Sequence, residues 1–355
     1  MKAAVLKALG SPLAVEIVPD PVLGTGEVIV DVAATKVLAY AGEVFSGKRH
    51  YLLEPPVIPG AGGIGRVREV GPDATELAVG DWVLCDPTVR SRDNPQAPDI
   101  ILQGLTAGSE RARRLQAHFH DGSWAERIRV PTECVVRLGP LSDAEAVAWC
   151  AFGNFAVPYG GYVAAGLQAG ETVLVNGATG AFGSGAVAVA LAMGAGAVIA
   201  TGRNHQALDL LGRRLGERVR PVHMLVDEER DREAILNAAP GPIDLVLDLL
   251  PPAATPAQVR AALLTVRPYG RVVLMGGVGP DIAVPYVWLM RNCVTVRGQW
   301  MYPREALPRL VAMVRSGLLR LDYHEARCFG LEEVNDAVAH AAANAGPFAM
   351  TVLRP

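Results

Sequence analysis

Residues 173–185 read Val-Leu-Val-Asn-Gly-Ala-Thr-Gly-Ala-Phe-Gly-Ser-Gly, an apolar run that passes straight into glycines and small residues. Such a run has the length of a buried strand, and the alanine-rich stretch after it, to Met193, has the length of a helix. A second apolar run follows at 197–201, so the segment predicts strand, helix and strand: a βαβ unit of a mostly parallel sheet. No charged side chain occurs from 172 to 201. That length imitates a membrane span, but glycines and Asn176 interrupt it, and a sheet buried on both faces accounts for the missing charge. Further strands are predicted at 243–247 and 271–275, and the alternation holds from about 148 to 296.

The glycines after the strand approximate G-x-G-x-x-G, with Gly180 and Gly183 in the second and third places, Ala178 in the first and Gly177 just before it. A pyrophosphate needs backbone N–H groups at a helix start, where the helix dipole favours negative charge and a Cβ at Gly180 would block its approach. The candidate phosphate-binding residues are therefore Gly177, Ala178, Thr179, Gly180, Ala181, Phe182 and Gly183; the plainer alternative is a tight turn with no ligand. NAD-binding versions carry a carboxylate about twenty residues further on. Here the second strand ends Ala200-Thr201-Gly202-Arg203-Asn204, and no carboxylate occurs between Glu171 and Asp209. Arg203 attracts a ribose 2′-phosphate and Gly202 leaves room for it, so NADP(H) is expected over NAD(H); the competing reading of Arg203 is a solvated surface side chain. Thr201, Gly202, Arg203 and Asn204 are placed at the adenosine ribose, and Leu249, Gly276 and Gly277, after later strands, along the cofactor.

The whole chain has 355 residues, more than one ordinary domain, with half of them hydrophobic and 19% charged. Thirty-three basic and 36 acidic residues give a net charge of −3 without a block of like charge, so neither nucleic acid nor a membrane is expected as partner. Five dispersed cysteines with no C-x-x-C indicate reduced thiols. Gly10, Pro12 and Glu16 stand before any sustained apolar run, so no signal peptide is read and a cytoplasmic location is expected. Residues 1–140 read as short strands with glycine corners, interrupted at 87–121 by an inserted polar lobe in which Arg111 to Arg114 fall on a short helix.

Taken together, Gly26-Glu27-Val28, Ile58-Pro59-Gly60, Val79-Gly80-Asp81-Trp82-Val83, the glycine turn, Gly270-Arg271-Val272-Val273 and Phe329-Gly330-Leu331-Glu332-Glu333 resemble the medium-chain dehydrogenase/reductase superfamily almost end to end. The resemblance implies an α/β protein with a GroES-like β-barrel catalytic domain (1–148), a Rossmann doubly wound parallel sheet domain that binds NADP (149–297) and a C-terminal segment (298–355) returning to the catalytic domain. It also implies a homodimer and a small-molecule substrate. The zinc ligands of the family's alcohol dehydrogenases fall here on Leu38 beside Ala39, on Ala61-Gly62 and on Cys150, and the 87–121 segment has none of the structural-zinc cysteines. One thiol does not hold catalytic zinc. The chain thus resembles the zinc-free quinone and enoyl reductases, and no metal is expected.

Without a Lewis acid, hydride addition to a conjugated C=C bond or a quinone is easier to support than carbonyl reduction, because charge spreads into an enolate that hydrogen bonds and one proton donor can handle. Tyr40 and Tyr51 are the candidate donors, each against the alternative of a packing tyrosine. Asn154, in the segment 153–159 at the domain junction, is placed against the nicotinamide carboxamide or the substrate. Two rival readings stand beside this one: an alcohol or carbonyl dehydrogenase, and a non-catalytic NADPH-binding redox sensor. Arg111, Arg113 and Arg114 suit either a clamp for a CoA-type phosphate or a solvated helix face.

Overall fold

The computed structural model describes residues 1–355. Residues 1–151, 324–345 and 349–355 form one compact unit, and residues 152–323 with 346–348 form a second.

In the second unit six parallel strands lie in the spatial order Val219–His223, Ala197–Gly202, Thr172–Asn176, Ile243–Asp248, Val266–Leu274, Thr295–Gly298. Numbered along the chain this is 3-2-1-4-5-6, the doubly wound order of a Rossmann fold, whose direction reverses between the first and fourth strands. The uncharged segment is the centre of this sheet: all five residues of Thr172–Asn176 and all six of Ala197–Gly202 are buried. Leu174, Ile199, Val246 and Val272 form one apolar face, closed by Ile235 from the helix Glu228–Ala238 and Leu263 from the helix Pro256–Leu263. Beneath the sheet's other side, the helices Phe152–Ala165 and Ala181–Ala192 are joined by a hydrogen bond from the Tyr162 hydroxyl to the Ala186 carbonyl, 2.9 Å. No helix is long and apolar enough to cross a membrane.

The spine of the first unit is the eleven-residue strand Glu27–Val37, which pairs antiparallel with Gly63–Val70, Arg127–Pro131 and Ala349–Arg354. Two register shifts, at Ile29/Val30 and Val32/Ala34, bend it so that one strand serves three partners. Its two-residue period sends Val28, Val30 and Val32 into a core with Val67, Val83, Ile128 and Val130.

Two regions differ from the sequence reading. The C-terminal segment 298–355 does not return whole: the helix Ala306–Arg315 buries Leu307 and Leu310 within the second unit, and only 324–345 and 349–355 join the first. The 87–121 insertion is not loop throughout. It carries a three-stranded sheet (Thr88–Arg90, Ile100–Leu102, Thr106–Ala107) over its own core of Val89, Ile101, Ala112 and Phe119, apolar positions too widely spaced along the chain to show a period.

Candidate active site

Where the first strand of the parallel sheet ends, Gly177 adopts φ +87, a conformation that favours glycine. Its N–H points to the Thr201 hydroxyl at 3.2 Å, and the Ala178 N–H donates to the Thr201 carbonyl at 2.8 Å. Gly180 then caps the helix Ala181–Ala192 with open space where a Cβ would stand. At Gly183 a Cβ would collide with the Gly177 carbonyl, so this glycine sets how closely the helix packs on the turn. No side chain caps the start of this helix and space is open beside Gly180, the kind of position at which a pyrophosphate approaches a helix N-terminus.

Beneath the turn a buried hydrogen-bond chain joins three strand ends. The Thr201 hydroxyl donates to Asn176 Oδ1 at 2.9 Å, and Asn176 Nδ2 donates to Asp248 Oδ1 at 2.7 Å. Burial raises the Asp248 carboxyl to about 6, against the opposing effect of the hydrogen bonds from Asn176 and the Leu250 backbone. Leu249 accepts the next ladder position, its N–H donating to the Asn176 carbonyl at 2.9 Å, and the Gly277 N–H donates to the Leu250 carbonyl at 2.8 Å. A Cβ on Gly276 would meet Asp248 Oδ2 and the Leu250 backbone, so the strand ends close tightly around this carboxyl.

At the end of the second strand, Gly202 is packed so that a Cβ there would strike the Thr179 side chain, and any larger residue would need Thr179 to shift. Arg203 beside it is exposed, and Asn204 caps the next helix by accepting from the Ala207 N–H at 3.1 Å. Asn154 sits differently from its expected role. It is fully buried in the helix Phe152–Ala165, where its backbone is what a Cβ on Gly185 would strike; close helix packing, not an open surface, surrounds it.

In the first unit the structure brings Tyr40 and Tyr51 together, ring centroids 6.2 Å apart and edge to face, with the Arg49 guanidinium 4.0 Å over the Tyr40 ring and 5.5 Å over Tyr51. Burial, and then the neighbouring Tyr51, push the Tyr40 hydroxyl well above the usual phenol range. A third group was missed in the sequence. Lys36 is on the long strand, two residues before Leu38, and the loss of water around its ammonium pulls it down to about 8, while the neighbouring Cys150 sulfur opposes that shift. Burial raises the Cys150 thiol far above its usual range, and Cys150 Sγ donates to the Ala146 carbonyl at 3.6 Å. A lysine within Ala-Ala-Thr-Lys-Val was the available signal, since an inward charge in a core strand is rare.

The residues present do not fit a catalytic zinc. Leu38, Ala39, Ala61 and Gly62 offer no ligand atom, and nowhere do three His, Cys, Asp or Glu side chains gather as a metal set would require. His118 and His120 are otherwise engaged, with Glu27 at 2.9 Å and with Asp121 at 3.2 Å. The arginines weighed as a CoA clamp are in ion pairs: Arg111 with Asp99 at 2.8 Å, and Arg113 with Glu54 and Glu110.

A family model described as the alcohol dehydrogenase GroES-like domain matches residues 24–140, and one described as zinc-binding dehydrogenase matches residues 181–316. The chain belongs to the medium-chain dehydrogenase/reductase superfamily. An alcohol dehydrogenase of Geobacillus stearothermophilus is 29% identical over 323 residues, 90% of each chain. An acryloyl-coenzyme A reductase of Metallosphaera sedula is 31% identical over 212 residues, 58% of this chain and 60% of its own. Among solved structures, an alcohol dehydrogenase from Thermus sp. ATN1 superposes with TM-score 0.81 at 23% identity, covering 100% of this chain and 99% of that one, which speaks for the fold. As a member of this superfamily the protein is an oxidoreductase, and the cofactor its members use is a nicotinamide dinucleotide.

The Asp248 carboxyl gives a pH signature. Unfolded, it loses its proton near 3.8; folded, it keeps it to about 6. The folded state therefore holds the extra proton between these values, and stability declines as pH rises through that window, by up to ~3 kcal/mol, then levels. Other carboxyls titrate there too, so the difference between wild type and Asp248→Asn isolates the effect. In melting curves from pH 4 to 7 the stability of wild type relative to Asp248→Asn is expected to fall as pH rises; parallel curves would show that Asp248 carries no such linkage.

Proposed function

We propose that the protein is an NADPH-dependent oxidoreductase that reduces a quinone or an activated C=C bond of the enone or enoyl type by hydride transfer without zinc. The observation that carries this reading is the donor set: the family's ligand positions hold Leu38, Ala39, Ala61 and Gly62, and an ammonium, Lys36, stands beside Cys150. Hydride delivered from the dihydronicotinamide to the β-carbon leaves an enolate, and a proton completes the reduction while NADP⁺ departs. Lys36 supplies a positive charge for the enolate oxygen, and the Tyr40–Tyr51 pair supplies hydroxyls for the proton. The relative named as an acryloyl-coenzyme A reductase supports C=C reduction. Relatives named as alcohol dehydrogenases favour a second reading, in which Lys36 polarises a carbonyl instead.

NADP(H) is favoured over NAD(H) because Arg203 offers the 2′-phosphate a cation and Gly202 stands where NAD-binding versions carry a carboxylate. A homodimer through the second unit is supported by its edge strand Thr295–Gly298, exposed at all four residues, beside the exposed Tyr286, Val287, Met290 and Trp300.

Four kinds of measurement test these points. Titration should show NADPH binding at least tenfold tighter than NADH, with Arg203→Ala removing about a tenfold preference; equal affinities would overturn the cofactor assignment. With an enone and quinone panel, Lys36→Met should lower turnover roughly a hundredfold without changing the affinity for NADPH. Since the protonated ammonium is the active form, wild-type turnover should fall as pH rises through about 8. Unchanged rates in Tyr40→Phe and Tyr51→Phe would remove the tyrosines from the scheme, and one equivalent of zinc in the purified protein would remove the metal-free reaction. Light scattering should give a dimer that Val296→Lys weakens; a monomeric wild type excludes that assembly.

A further inference from the structure

The end of the strand Ala197–Gly202 lies in register with the end of Val219–His223, Gly202 opposite His223. The chain leaves Gly202 through Arg203 and Asn204 into the helix His205–Leu215. This geometry stacks two imidazoles: the His205 and His223 rings have centroids 3.7 Å apart and planes inclined by 14°. His223 Nε2 is 3.1 Å from the Arg203 carbonyl oxygen. A carbonyl only accepts, so Nε2 carries the hydrogen and Nδ1 is the atom left to take a proton or meet a ligand.

The charged surroundings are quickly enumerated. Arg203 comes from the turn itself, and Asp209 lies one helical turn beyond His205. Arg220 is three residues before His223 and so falls on the opposite face of its strand. From the following segment, the Asp231 carboxylate accepts the N–H groups of Leu225, Val226 and Asp227 at 2.6, 2.9 and 3.2 Å, and Asp227 accepts from the Arg230 N–H at 3.0 Å. Glu228 is paired with Arg260 at 3.1 Å. These carboxylates are thus committed elsewhere. An anion seated beside the stacked rings and Arg203 favours a proton on an imidazole, because opposite charges at that spacing attract.

We propose that His205 and His223 complete, with Arg203, the subsite for the phosphomonoester on the adenosine ribose of NADP(H), and that phosphate binding draws a proton onto the pair. Rings of this kind suit the task because imidazole gains its charge in the physiological range. The preference for the phosphorylated dinucleotide consequently strengthens as pH falls. This inference rests on the NADP(H) reading above.

The test is calorimetric titration of the full-length protein with adenosine 2′,5′-bisphosphate and with 5′-AMP between pH 6.5 and 8.5, for wild type, His205→Gln, His223→Gln and Arg203→Ala. The 2′-phosphate loses charge below about pH 6, which works against the effect, so the wild-type profile is compared with that of each variant. The expected result is bisphosphate binding about tenfold tighter at pH 6.5 than at 8.5, with proton uptake seen in buffers of differing ionisation heat, and a flat profile for 5′-AMP. His205→Gln and His223→Gln should flatten the bisphosphate profile and lose part of the preference while 5′-AMP binding and melting temperature stay unchanged. A preference that is lost in Arg203→Ala but keeps the wild-type pH profile in both histidine variants overturns this inference and leaves the NADP(H) reading standing. Equal wild-type affinities for the two nucleotides overturn both.

Discussion

The hydrogen-bond chain from Thr201 through Asn176 to Asp248 holds together the three central strands of the parallel sheet at the end where the cofactor turn begins. Each group in it is buried, so each must be satisfied from inside the protein, and the amide of Asn176 does this by accepting on one side and donating on the other. With those strand ends fixed, Gly177 takes its left-handed turn, Ala178 docks on the Thr201 carbonyl, and the helix after Gly180 starts without a side-chain cap, with open space beside that glycine. The cost falls on Asp248, whose carboxyl ionises less readily there than in water. The shape of the glycine turn therefore rests in part on one buried acid.

Much of this unit was legible from the residues alone. The chargeless run of 172–201 specified a doubly buried βαβ element, while the missing carboxylate before Asp209 is the ground on which NADP(H) is proposed. What was not legible is how crowded Gly202 is, because Thr179 reaches it from a turn twenty-three positions earlier. Nor did the sequence show that His205 and His223 stack, since that contact depends on the register of two adjacent parallel strands. Position along the chain carries no record of such register.

The first unit shows the same division in a different form. The alternation at Val28, Val30 and Val32 announced a strand with one buried face, and Tyr40 and Tyr51 were candidates that the fold brings within edge-to-face contact. Lys36 passed unnoticed because a lysine in a strand ordinarily faces solvent; only the packing around it and Cys150 removes the water that would keep its proton affinity normal. Asn154, conversely, looked available beside the glycines of its segment, yet close packing against the helix that starts at Ala181 encloses it. The insertion at 87–121 was read as a polar lobe with one short helix; its sheet escaped notice because its core residues are few and separated by turn chemistry, and three strands of two or three residues leave no period to detect.

By itself the sequence determined the fold class, because periodicity, glycine spacing and the identity of side chains are local properties of the chain, and it carried the expectations of a phosphate turn at 177–183 and of a site without a metal. The tertiary structure decided which charges are desolvated and which groups meet: Asp248 under the turn, Lys36 beside Cys150, two imidazoles beside Arg203. Those are consequences of burial and register, which arise only when distant segments pack together.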